Sequence, residues 1–86
     1  MRISIRPSDT GYSAFTTARL HNRKAIVKLN GEPQFLCVTA DSDCGMVVRY
    51  AKNADGGLTY DQERQELIVE VVHGKVEIEF QDVMVL

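Results

Sequence analysis

The amino-acid sequence predicts an all-β fold: a single small antiparallel sandwich, or a partly open barrel, of six to seven strands built from hairpins. Short runs in which apolar and polar side chains alternate recur along the chain, and turn-forming residues separate them about every 8–12 residues. No segment shows a period that firmly predicts a helix. The length of 86 residues suits one domain, spanning 1–86.

The segment 66–80 shows the clearest hairpin pattern. Three apolar residues share one parity before His73-Gly74, and three more share one parity after it: Leu67, Val69, Val71, then Val76, Ile78 and Phe80. A two-residue turn at His73-Gly74 would place Val71 opposite Val76 and put both triplets on one face of the sheet. Gly74 can adopt the positive φ that such a turn needs. The sequence therefore predicts a β-hairpin in this segment.

The N-terminal part of the chain is less regular. Residues 2–6 alternate and predict a short strand, and residues 7–11 are turn formers. For residues 12–22 the sequence favours a loop or an irregular strand. A short helix is the alternative, because Phe15 and Ala18 are three residues apart.

The pair Asn30-Gly31 marks a hairpin turn after the alternating strand 24–29. We prefer a three-residue loop, 29–31, because it places Val27 opposite Pro33 and keeps apolar residues together. A strict two-residue turn would instead place Val27 opposite Gln34 and mix the two faces of the strand.

Two further strands are predicted in the middle of the chain. The strand at about 34–40 is expected either to be buried on both faces or to lie in a central position of a sheet, because its apolar run is nearly continuous. The strand 46–52 is followed by a five-residue loop, 53–57, which would place Tyr50 opposite Tyr60 as an aromatic pair.

The net charge of −2 hides an asymmetry along the chain. Residues 31–86 have four basic side chains against eleven acidic ones. Residues 1–30 have only Asp9 against six basic side chains: Arg2, Arg6, Arg19, Arg23, Lys24 and Lys28. Either strands from both halves interleave and the charges mix, or the molecule is polar and docks head to tail or on a charged partner.

We expect no catalytic residue, no metal site and no cofactor. Cys37 and Cys44 lack the short C-x-x-C arm of zinc sites. The run Asp41-x-Asp43 resembles the start of a calcium loop, but Met46 and Lys52 stand where that loop needs glycine and glutamate. No nucleophile signature lies near either histidine.

Three groups of residues are candidates for binding a partner. The glutamates of the 66–80 hairpin would form an acidic face on the side away from the apolar triplets: Glu70, Glu77 and Glu79. A basic stretch could contact nucleic acid or protein through Arg19, Arg23, Lys24 and Lys28. The segment 81–86 is either an edge strand of its own sheet or a tail offered to a neighbouring chain through Val83, Met84, Val85 and Leu86.

Several short motifs, in this order, resemble small uncharacterised proteins encoded in tailed-bacteriophage and prophage genomes. The motifs are IRPSDTGY (5–12), LNGE (29–32), CVTAD (37–41), GMVVRY (45–50), DGG (55–57) and HGKVEI (73–78). The resemblance implies a phage origin and a non-enzymatic role, and it carries over no catalytic residue.

The expected function is therefore protein binding, as a virion-associated or accessory structural protein that can form a homo-oligomer. The alternatives are an inhibitor of a host defence protein, acting through the acidic face, and a nucleic-acid binder, acting through the basic stretch. The expected location is the host cytoplasm, with the virion as the second location. No apolar run of the length of a membrane span supports a membrane partner.

Overall fold

The computed structural model describes residues 1–83 of the chain. One helix and nine strands are formed in these residues. The helix is α1 (Tyr12–Leu20), and the strands are β1 (Arg2–Ser4), β2 (Arg23–Leu29), β3 (Glu32–Gln34), β4 (Cys37–Asp41), β5 (Met46–Tyr50), β6 (Tyr60–Asp61), β7 (Glu66–Leu67), β8 (Val69–His73) and β9 (Val76–Asp82).

The strands form two antiparallel sheets and a two-stranded ribbon. The first sheet has the order β1-β4-β5-β8, the second has the order β3-β2-β9, and β6 pairs with β7. The buried core contains residues of both sheets: Ile3, Val27, Leu29, Ala40, Val47 and Val76. The predicted all-β antiparallel class is confirmed, and in residues 1–83 neither sheet closes into a barrel.

The predicted hairpin between β8 and β9 is wrong, because the two strands lie in different sheets. Val71 of β8 lies opposite Val48 of β5, and Val76 of β9 lies opposite Leu29 of β2. Alternation correctly identified the core face of β9, but on β8 it chose the wrong face, because Val71 is 55% exposed while Val72 packs against the core. Alternation also does not specify which strand each one pairs with. The connection at Gly74 carries the chain from one sheet to the other.

The reason for glycine at position 74 also differs from the prediction. Gly74 does not have positive φ. A Cβ atom there would instead lie 2.8 Å from the side-chain amide of Asn30 and 2.9 Å from a methyl group of Leu29. The Asn30 Oδ1 atom accepts a hydrogen bond from the backbone N–H of Lys75 at 2.9 Å. Glycine at position 74 therefore allows close packing between the β2–β3 turn and the start of β9.

The β2–β3 hairpin uses the strict two-residue turn, and the preferred three-residue loop is wrong. Val27 lies opposite Gln34, while Asn30 and Gly31 have φ of 52° and 84°. Positive φ at both turn residues is the type I′ geometry, whose twist matches that of the strands. This register places apolar residues opposite polar ones, which is tolerated because β3 is a short, mostly exposed edge strand. Leu29 is buried beside Val76 on the other side of β2.

The predicted continuous strand 34–40 is broken at Phe35 and Leu36. The strand β3 ends at Gln34 and β4 begins at Cys37. Leu36 has a φ of 60°. The expected burial of this run is therefore wrong for both residues, since Phe35 is 78% exposed and Leu36 is 51% exposed.

The segment expected to be a loop or irregular strand is helix α1, so the helical alternative was correct. The preceding turn prepares its start, because the Tyr12 N–H donates to the Asp9 carbonyl oxygen at 3.1 Å. Phe15 and Ala18, three residues apart, face the sandwich. Packing on β1 and β2 stabilises a helix whose threonines lower its intrinsic propensity.

The loop 53–57 is confirmed, but the predicted aromatic pair is wrong. A bridge between Lys52 and Leu58 spans the five residues of the loop. Tyr50, however, lies opposite Val69, and Tyr60 lies opposite Leu67 in the ribbon. Both sides of β5 are already occupied by β4 and β8, which leaves no edge for Tyr60.

Candidate protein-binding cleft

The three predicted acidic residues do not form one face. Glu70 lies on β8 in the first sheet, where its carboxylate accepts a hydrogen bond from the Arg49 Nε atom at 2.8 Å. Glu77 and Glu79 lie on β9 in the second sheet, opposite Lys28 and Ile26. The predicted juxtaposition of Glu70 with Glu77 is therefore wrong, because it depended on the β8–β9 hairpin.

Charges of the two halves of the chain mix in the second sheet, as one of the two interpretations expected. The basic strand β2 pairs with the acidic strand β9 over its whole length. Arg23 Nε lies 3.2 Å from Asp82 Oδ1, and Lys28 lies opposite Glu77. Neighbouring opposite charges offset each other, so this sheet does not present a single-sign surface.

The C-terminal segment continues its own sheet as far as the structure describes it. The backbone N–H of Val83 donates to the Asn22 carbonyl oxygen at 2.7 Å, which extends the β2–β9 ladder beyond Asp82. Gln81 and Asp82 therefore lie in β9 at the edge of the second sheet, and Val83 follows directly after this strand. The remaining tail candidates, Met84, Val85 and Leu86, lie outside the described residues.

The structure does bring most of the basic stretch together, on the wall of a cleft. The cleft has a volume of about 470 Å³ and lies between α1, the start of β2 and the corner joining β3 to β4. Arg19, Arg23 and Lys24 line it, whereas Lys28, at the far end of β2, does not. A volume of this size is in the usual range for binding pockets.

Apolar side chains form the floor and the outer wall of the cleft. They are Ile3, Ile5, Phe15, Ala18, Ala25, Ile26, Val27, Pro33, Phe35, Leu36, Val38 and Ala40, and Cys37 lines the cleft among them. The buried hydroxyls of Ser4 and Thr39 also line it, and they satisfy each other at 2.8 Å. In the described part of the chain, no histidine or carboxylate lines the cleft. The lining therefore suits binding of an apolar group rather than proton transfer.

The corner formed by Phe35 and Leu36 is the most unusual part of the cleft. A left-handed backbone disfavours a leucine by about 1–2 kcal/mol relative to the right-handed region. The corner is held in place because the Leu36 carbonyl oxygen accepts the Tyr50 N–H at 3.3 Å. Beside it, Gln34 Oε1 accepts a hydrogen bond from Arg49 Nη1 at 2.6 Å. The adjacent strand β5 thus fixes a strained corner that exposes two large apolar side chains.

The rim of the cleft is positively charged. The Arg19 guanidinium lies over the Phe15 ring, 5.7 Å from its centroid, which fixes the direction of this side chain. Arg23 has a carboxylate partner in Asp82. Within residues 1–83, Arg19 and Lys24 have no carboxylate within salt-bridge distance. The rim is therefore complementary to an acidic group placed beside an apolar one.

A separate ion-pair network outside the cleft has a structural role. Arg2 on β1 contacts Asp9 at 2.7 Å and Asp41 at 3.3 Å, and so ties the first strand to two turns. The hydrogen bond from Arg2, with a second from the Gly11 N–H, lowers the pKa of Asp9 to about 2. The backbone N–H of Cys44 is the main reason that the pKa of Asp41 is also lowered.

Asp41 is a turn residue, as the failed calcium-loop match implied. Its Oδ1 atom accepts the N–H groups of Asp43 and Cys44 at 2.9 and 3.0 Å. Both cysteines are free thiols. Burial raises the pKa of Cys37, which is half-buried beside the cleft.

The sequence located the basic rim but missed the Phe35–Leu36 corner. The apolar run was interpreted as a buried strand, and alternation contains no signal that would place a break inside it. Among residues 1–83, no group of three or more histidine, cysteine or acidic side chains could hold a metal ion. The helix in this part of the chain is too short to cross a membrane.

No family model, curated protein or solved structure matches this chain. Function is therefore inferred from the geometry of the described residues and from the chemistry of their side chains.

Proposed function

We propose that this chain is a non-enzymatic protein-binding module whose cleft receives an apolar side chain of a partner flanked by acidic residues. The observation that carries the proposal is the Phe35–Leu36 corner, where two large apolar side chains are exposed beside an apolar cleft. Neighbouring exposed apolar side chains that continue into an apolar cleft are typical of protein-binding sites. Arg19 and Lys24 on the rim supply the complementary charge.

The energetics favour Phe35 as the anchor of this interaction. Covering an aromatic side chain of this size contributes about 1.5–3 kcal/mol. Aromatic residues are also enriched in the buried cores of interfaces, where a few residues supply most of the binding energy. The corner loses little conformational entropy when it binds a partner, because its contacts with β5 already order it.

The resemblance to phage-encoded proteins supports the choice of partner class. A virion or accessory structural protein of the phage is the favoured partner, and a host protein is the alternative. The split between Glu70 on one sheet and Glu77 and Glu79 on the other removes the reason to place an inhibitory surface there.

A second candidate, single-stranded nucleic acid, is favoured by one observation. An exposed aromatic side chain beside three cations is also the arrangement on which bases stack. Against it, Arg23 is neutralised by Asp82 and the whole chain is acidic. Nucleic-acid binding would weaken steeply with added salt, whereas binding driven by Phe35 would not.

Photo-crosslinking at position 35 tests the proposal. Phe35 is replaced by a photoreactive phenylalanine analogue, and the same analogue is placed at Leu20, which is 83% exposed but does not line the cleft. In phage-infected cells we expect one protein to crosslink at position 35, with competition by added wild-type chain and none by Phe35→Ser. Equal labelling at both positions would contradict the proposal, and adducts with nucleic acid would favour the second candidate.

A further inference from the structure

The two main sheets have four outer edges in the described chain, formed by β1, β3, β8 and β9. An open edge can pair with another chain, and proteins block edges with covering segments, prolines or charges. The β1 edge is covered, because the Ser4 N–H donates to the Gly11 carbonyl oxygen at 3.1 Å. The strand β3 is short and has Pro33 at its centre. Two β9 strands centred on each other would bring Glu79 against its own copy.

In the described chain the edge of β8 has no covering segment and no proline, and its one charged side chain, Glu70, is paired with Arg49. The Ala51 N–H donates to the Ile68 carbonyl oxygen at 2.9 Å, and the Gly74 N–H donates to the Gly45 carbonyl oxygen at 3.0 Å. In an antiparallel pair, alternate residues direct their backbone groups to the partner strand. Even-numbered residues of this segment therefore face β5. The odd-numbered residues direct their N–H and C=O groups outward: Val69, Val71 and His73.

The strand β8 is self-complementary in the antiparallel sense. Centring two copies on Val71 makes a hydrogen-bonded pair of Val71 with its own copy, and places Val69 opposite His73 of the second copy. Glu70 then lies opposite Val72, so no like charges meet, and Glu70 is already paired with Arg49. Val71 is 55% exposed, and its side chain would be covered by its copy in this arrangement.

We propose that two copies of this chain associate through β8, antiparallel about a two-fold axis at Val71. The first sheets of the two copies then form one continuous sheet of eight strands. Isologous two-fold dimers are the commonest form of protein self-association. Exposed apolar side chains next to the edge enlarge the contact beyond the strand itself: Tyr60, Leu67 and Ile68.

The dimer is independent of the cleft, because no residue of β8 lines it. It deepens the proposed function in one respect: a dimer presents two clefts, which raises the avidity for a repetitive partner such as a virion surface. Loss of dimerisation with retained cleft binding, or the reverse, separates the two proposals.

Analytical ultracentrifugation over a concentration series tests the dimer directly. We expect wild-type chain to be a dimer at high concentration, with an affinity that salt hardly changes. Val71→Lys should weaken it at least about tenfold, because a lysine on a strand edge opposes pairing. Leu20→Lys, an equal change on the exposed end of α1, should leave it unchanged. A wild-type monomer at the highest soluble concentration, or equal affinities for wild type and Val71→Lys, would overturn the proposal.

Two further measurements distinguish the loss of β8 pairing from the loss of folding. Val71→Pro removes only an outward N–H, and proline is tolerated on the open side of an edge strand, so we expect a folded monomer. In the wild-type chain, the amides of Val69, Val71 and His73 should exchange hydrogen more slowly as concentration rises. Exchange that is independent of concentration would contradict pairing at this edge.

A disulfide trap fixes the register. In a hydrogen-bonded antiparallel pair the Cα atoms are about 5.5 Å apart, a distance that a disulfide spans. With the exposed Cys44 changed to serine, Val71→Cys should give a reducible dimer under mild oxidation, whereas Glu79→Cys on β9 should not. Equal crosslinking at both positions would reject the two-fold axis at Val71.

Discussion

Gly74→Ala would place a methyl group against two side chains of the β2–β3 hairpin, Asn30 and Leu29. The new methyl group would lie 2.8 Å from the Asn30 side-chain amide, well inside van der Waals contact. Asn30 cannot simply move away, because its Oδ1 atom holds the Lys75 N–H. Displacing it breaks that hydrogen bond, which contributes about 0.5–1.5 kcal/mol, and the remaining overlap with Leu29 adds to the loss. We therefore expect Gly74→Ala to lower the free energy of unfolding by about 1–2 kcal/mol.

A double-mutant cycle with Asn30→Gly isolates this cause. Glycine at position 30 keeps the positive φ of the turn but removes the amide that clashes. In urea denaturation, Gly74→Ala should cost about 1 kcal/mol less in the Asn30→Gly background than in wild type. Each kcal/mol corresponds to a change of about 4–8 °C in Tm for a domain of this size. Equal losses in both backgrounds, or a neutral Gly74→Ala, would refute the packing explanation.

Two other predictions concern acid stability and the strained corner. The Asp9 carboxylate has a pKa of about 2 in the folded chain, against an ordinary value of 3.8. Its contribution to folding stability is therefore complete above pH 4 and is lost as the pH falls towards 2. The Tm of wild type should fall in that window, and Asp9→Asn should show a lower Tm at neutral pH and a shallower fall. An equal fall of Tm with pH in wild type and in Asp9→Asn would contradict this role of the Asp9 carboxylate. Leu36→Gly should leave the free energy of unfolding unchanged or raise it by up to about 1 kcal/mol, while weakening cleft binding, because glycine relieves the left-handed strain. A loss of more than about 1 kcal/mol would show that the leucine side chain stabilises the fold.

The sequence predicted individual strands better than their pairing. Val76 was correctly placed on the core face of its strand, but Val71 is 55% exposed and Val72, of the opposite parity, packs against the core. Pairing depends on contacts distant in sequence, and the step between sheets at Gly74 depends on Asn30, 44 residues earlier. A short connection between two alternating strands therefore resembles a hairpin even when it joins two sheets.

The cleft, too, could be predicted from the sequence only where its residues are close together in the chain. The basic rim could be anticipated because Arg19, Arg23 and Lys24 are near each other in sequence. The Phe35–Leu36 corner could not, since the hydrogen bond that holds it comes from the Tyr50 N–H, on a strand that follows later in the sequence. Local preference opposes a left-handed leucine, and tertiary contacts override it.

The role of the cleft is decided by the affinities of wild type and Phe35→Ser for the protein captured by crosslinking at position 35. Titration calorimetry of purified components, with Leu20→Ser as the matched control, gives both values. We expect Phe35→Ser to bind at least about tenfold more weakly, a difference of about 1.4 kcal/mol, and Leu20→Ser to bind as wild type does. Equal affinities for wild type and Phe35→Ser would contradict the assignment of the cleft as the binding site.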